Sequence, residues 1–152
     1  MGPQAQLVWD ALQFRTPALL GVVAELSDVD LCWLPPNGVN PIAWMLWHIP
    51  EVEDNWVRDK LYGLPKRYPF GASVKAAPRA PYPPKSDLLP YFDEVRALTK
   101  QRLENDTDGD FDRLIHDEHY GRLTVRQVWA GVVTSCAWHG GQITYVRRLL
   151  HR

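Results

Sequence analysis

The sequence predicts an all-α fold, an antiparallel four-helix bundle with long connections, on three observations. Four segments repeat apolar residues at threes and fours, no stretch of useful length alternates as a half-buried strand would, and the connections allow neighbouring helices to run antiparallel. A chain of 152 residues that is 45% hydrophobic and holds seven Trp can bury one core, so residues 1–152 are read as a single domain.

The first helix is expected from about Gln4 to Leu26, with Leu7, Ala11, Leu19, Val22, Val23 and Leu26 in period and Pro17 kinking it. Asp28 to Asn40 reads as a connector with Pro35, Pro36, Asn37 and Gly38 as turn chemistry. Asn40 then serves as N-cap and Pro41 as first residue of a second helix, which should reach Tyr62 and stop at Gly63 and Pro65. Ile42, Trp44, Met45, Leu46, Trp47, Ile49 and Val52 cover more than one of its faces, which requires neighbours all round or a partner subunit. Gly63 to Lys85 holds six of the 13 prolines and no period, the composition of a lid or a strap. Ser86 is expected to cap a third helix running to about Glu104. A polar connector with a short turn or hairpin at Tyr120-Gly121 follows, and Thr124 caps the fourth helix. Val125, Val128, Val132, Cys136, His139, Ile143, Val146 and Leu150 share one face of that helix, which places His139 on the core side.

Composition narrows the function classes. Lys and Arg number 17 against 18 for Asp and Glu, so no field of one sign attracts nucleic acid or an anionic membrane. Arg147, Arg148, His151 and Arg152 sit where cations favour the negative end of a helix dipole. The N-terminal residues lack the basic and apolar regions of an export signal, the longest apolar run is too short to span a bilayer, and Cys32 and Cys136 are far apart. A cytoplasmic protein with two reduced thiols is the expectation.

Chemistry concentrates on two helices. His48 and Glu51 are three residues apart, hence on nearly one face of the second helix, while His139 shares its face with Ser135, Cys136 and Gln142. If those faces meet, two imidazoles, a carboxylate and a thiol converge in a bundle core, where rigid facing helices build metal sites. Gly140 and Gly141 together cost the fourth helix about 2 kcal/mol relative to Ala, so close helix contact or room for a ligand should offset them. The competing reading is that small residues let helices pack and that a buried His is hydrogen-bonded core. His116 and His119 lie in an acidic connector and read as a solvated turn, and Glu53 and Asp54 as solvent-facing partners for Arg58.

The pattern NPIAWMLWHIPEVEDNWV, a long loop, and then GRLTVRQVWAGVVTSCAWHGGQITYVRRLL resembles the DinB-like superfamily, the damage-inducible and thiol-transferase-like four-helix bundles. The likeness covers nearly the whole chain. It implies a divalent metal held by one His of the second helix and two of the last, four residues apart, with open positions for water or substrate. His48 and His139 match that pattern; the third position is Ser135, a poor ligand for zinc or nickel. Glu51 completing a His-His-carboxylate set is favoured as the replacement, with Cys136 as the other candidate and Asn55 and Gln142 as groups that orient ligands.

Two functions follow as expectations. One is an enzyme in which Zn, Ni, Fe or Mn at His48, Glu51 and His139 activates water or a low-molecular-weight thiol, a hydrolase or a thiol transferase tied to stress response by the resemblance. The other is a non-catalytic bundle binding a small ligand or partner, its metal site degenerate at Ser135. A homodimer is expected in either case.

Overall fold

The computed structural model describes residues 1–36, 40–77 and 81–150. Asn37 and Gly38, expected as turn residues, and His151 and Arg152 of the basic cluster lie outside them. Helix α1 spans Pro3–Ala24, with Pro3 at the N-terminus where a missing N–H is harmless and Pro17 within. The connector that follows contains a short helix not expected there, α2 (Asp28–Cys32). The Ser27 hydroxyl and the Asp30 carboxylate cap each other's backbone, a Ser-x-x-Asp signature that explains why five residues turn helical.

Helix α3 spans Ile42–Asp54 and continues as a π-helical segment, Asn55–Leu61, that ends where Gly63 turns at φ +67. Its cap is Pro41 in extended conformation, one residue later than Asn40. Helix α4 covers Lys85–Asn105 with Pro84 at its cap, so Ser86 lies in the first turn instead of capping. After a 3₁₀ turn at Asp108–Asp112, strands β1 (Leu114–Asp117) and β2 (Gly121–Thr124) pair antiparallel through a turn closed by Gly121 at φ +72. Helix α5, Val125–Leu150, starts from a reciprocal cap: the Gln127 amide donates to Thr124 Oγ1 at 3.2 Å while Gln127 Oε1 accepts from the Thr124 amide at 2.8 Å.

Helices α1, α3, α4 and α5 form the bundle, with α1 against α5 and α3 against both α4 and α5. One apolar core joins Leu12, Leu19, Met45, Leu46, Phe92, Leu103, Trp129 and Ile143. The many-sided apolar surface of α3 is thus covered within the chain, since Ile42 through Glu51 are buried apart from half-buried Trp44. Glu53 and Asp54 correct the expectation of a solvent face. Glu53 is buried against α4, its carboxylate 3.1 Å from Arg96 and accepting from Thr99 Oγ1 at 2.5 Å; Asp54 is buried between Arg58 at 3.1 Å and Arg67 at 3.6 Å. Among the described residues no helix is long and apolar enough to cross a membrane.

Candidate functional site

The core faces of α3 and α5 bring His48 and His139 together. Their ring centroids are 4.9 Å apart and the rings nearly perpendicular, while Trp44, one turn before His48, stacks on it at 4.4 Å. Gln142 Oε1 lies 2.7 Å from His139 Nδ1, one helical turn on, so it accepts the proton there and leaves Nε2 with its lone pair. His48 is only 7% exposed, and its Nδ1 has no hydrogen-bond partner.

Glu51 is engaged elsewhere. The Ser73 hydroxyl donates to its Oε1 at 2.6 Å and the Val74 amide donates to its Oε2 at 2.9 Å, so both oxygens latch the proline-rich loop onto α3. The loop is therefore a strap, and the latch fixes the next residue, Lys75. Lys75, Ser135 and His48 line a cleft of about 380 Å³ with Val52, Trp56 and Val128. His139 stands behind the His48 ring and is not part of that wall.

Electrostatics at the ring pair follow from this packing. Burial, with the nearby His139 and Lys75 adding to it, lowers the His48 pKa from the usual 6.5 to about 4. His139 is lowered for the same first reason, burial, against the opposing bond from Gln142, with Lys75 adding to the decrease. Both rings are neutral at pH 7. An unfolded His binds a proton near pH 6.5; the buried one resists until about pH 4. Stability contributed by neutral His48 is accordingly present above pH 6.5 and lost as pH falls toward 4, by about 3 kcal/mol at the lower end. Urea unfolding between pH 7.5 and 4.5 should show that loss in the native chain and a smaller one in His48→Gln; parallel curves would remove His48 as the cause.

Cys136 is turned away from the rings. Its Sγ is 3.8 Å from Arg96 in the core, and burial pushes its thiol pKa up although Arg96 opposes. Gly140 faces α1, where a Cβ would lie 3.3 Å from Leu19 Cδ1, while Gly141 has open space. Close approach of α1 to α5 is what the first glycine serves. No hydrogen bond among the described residues joins Asn55 to either ring. His116 and His119 are exposed on the hairpin, whose turn is held by Asp117 accepting the amides of His119 and Tyr120 at 2.9 and 3.0 Å.

Two neutral imidazoles are good donors for a first-row divalent cation, and the orphaned Nδ1 of His48 fits such a group. The rest of the surroundings does not. Among the described residues no three His, Cys, Asp or Glu side chains gather closely enough to hold a metal, Glu51 is held by the strap, and Lys75 brings a positive charge to the rings. Lys75 and the Ser73-Val74 latch escape a reading of the sequence, because the loop has no period and its partner on α3 is more than twenty residues away.

The family model described as the DinB superfamily matches residues 11–143. No curated protein matches the chain. Among solved structures, the chain is similar to a conserved protein from Enterococcus faecalis, with a TM-score of 0.82 at 17% sequence identity over 98% of this chain and 97% of that one. At that identity the likeness shows the shared fold.

Proposed function

The chain belongs to the DinB superfamily, and from that premise we propose that it is a small-molecule-binding bundle whose family metal site has become a ligand cleft beside His48. The observation that carries this reading is the Glu51 latch. The carboxylate best placed to replace the missing histidine holds the strap instead, and the strap delivers Lys75 to the rings. A cleft of about 380 Å³ falls in the range that encloses a small ligand, with apolar walls and a few polar groups to orient it.

The partnerless Nδ1 of His48 and the Gln142 bond to His139 favour a second reading, in which the two rings still take a divalent cation and the incoming substrate supplies the remaining donors. A hydrolase or thiol transferase would belong to that reading. Elemental mass spectrometry on untagged chain purified without chelator, with His139→Ala in parallel, separates the two. Metal far below one equivalent in both proteins, even after added zinc, nickel or manganese, is expected. Near-stoichiometric metal that the variant loses would overturn the ligand-cleft reading and establish the other. Homodimerisation is also proposed: Phe14 on α1 and Trp138 and Tyr145 on α5 are large, exposed and carried by two helices that pack together.

A further inference from the structure

Resting on the ligand-cleft reading, we infer that the occupant is an anion, a small carboxylate with a flat apolar body, and that Lys75 is the residue that selects it. The charge balance of the cleft leads there. None of the residues lining it is an Asp or Glu, the Glu51 carboxylate in the adjoining turn of α3 is directed at the strap and not among the lining groups, and no ion pair among the described residues engages Lys75. An ammonium over a cleft whose lining holds no carboxylate attracts a negative ligand, and the same charge repels a cation.

The remaining groups fit a carboxylate bound by that ammonium. Ser135, on the α5 wall, offers a hydroxyl that can donate, and His48 forms part of the wall beside it. Below them Val52, Trp56 and Val128 form an apolar wall, with the Trp56 ring suited to a flat body. Ser135, a poor metal ligand, is a good donor to a carboxylate oxygen. Glu51 is a positioning residue here: its two hydrogen bonds fix Ser73 and Val74 and so set where Lys75 stands.

Nitrogen-15-labelled full chain titrated with benzoate, benzamide and benzylammonium, probes of one body and three charges, tests this. The Trp56 indole and the Gly131 amide report the cleft. Benzoate is expected to shift both and to bind about tenfold more tightly than benzamide, with benzylammonium weaker than either. Lys75→Met should lower benzoate affinity to about that of benzamide. Ser73→Ala, which keeps the lysine and the Glu51 charge but removes one bond of the strap, should weaken benzoate more than benzamide, a selective loss that general destabilisation would not give. Benzoate binding no better than benzamide, or unaffected by Lys75→Met, overturns the anion inference while cleft shifts with benzamide preserve the ligand-cleft reading. Failure of all three probes to shift the reporters removes both.

Discussion

Ser135→His should convert a chain that holds zinc weakly into one that holds it tightly. Residue 135 is four positions before His139 on α5 and lines the cleft beside His48, so a histidine there joins two rings already 4.9 Å apart between centroids. Three imidazoles with an open fourth position make a zinc site of the catalytic type. Removal of groups that merely orient a ligand costs 10- to 100-fold in affinity, so adding a whole ligand should tighten zinc by about 100-fold or more. Competition with a chromophoric chelator measures the change. Equal zinc affinity in native and substituted chains would mean either that the native chain already completes its site or that residue 135 does not reach the rings; metal content of the native protein tells these apart. Because bound zinc requires neutral imidazoles, the gain should shrink below about pH 6.

Arg96→Met is expected to be the most destabilising single change at a polar position, by about 3–5 kcal/mol, because it leaves a buried carboxylate without its cation. Glu53 is buried on α3 with Arg96 at 3.1 Å and Thr99 at 2.5 Å, both on α4, and Arg96 also reaches Cys136 on α5 at 3.8 Å. One cluster therefore ties three helices. Replacing both partners, Glu53→Leu with Arg96→Met, should cost markedly less than Arg96→Met alone, since no charge is then stranded. Burial already pushes the Glu53 carboxyl up, against Arg96. Without Arg96 it rises further, and a raised carboxyl favours the folded state as pH falls, so the single variant should recover stability relative to the native chain on mild acidification. Urea midpoints of the single and double variants at two pH values check both statements. A single variant within 1 kcal/mol of native would show that the pair is not a structural tie.

What was legible in the sequence was what periodicity encodes. The core face of α5, and with it the inward aim of His139, follows from residues at threes and fours between Val125 and Val146, of which Val125, Val128, Val132, Cys136, Ile143 and Val146 are buried and His139 half-buried. The bundle and the meeting of His48 with His139 follow from that period, the helix count and the family resemblance. Helix starts were less legible, because Asn40 and Ser86 have cap chemistry while the backbone places Pro41 and Pro84 at the caps, and only the geometry distinguishes adjacent candidates. Glu53 and Asp54 differ from the solvent-facing expectation because α3 has no solvent face; their partners Arg96 and Arg67 lie on other elements, beyond what spacing reveals. Glu51 was legible as a carboxylate beside His48 but not as a latch. Its partners Ser73 and Val74 belong to a loop whose path depends on tertiary contacts.

The latch also couples the strap to the helix that carries His48. Glu51 and His48 ride on the same turn of α3, so tilting of that helix within the bundle carries the ring and the root of the strap as one rigid piece. Gradual breathing of the helices therefore leaves the spacing between His48 and Lys75 largely intact. That spacing changes when the Ser73 and Val74 bonds break and Val74 leaves the core, a local unfolding of the strap. The spacing of Lys75 from His48 is therefore a property of the whole anchored strap, held by the Glu51 bonds together with Val74 buried in the core and Phe70 packed on Trp47 and Tyr91.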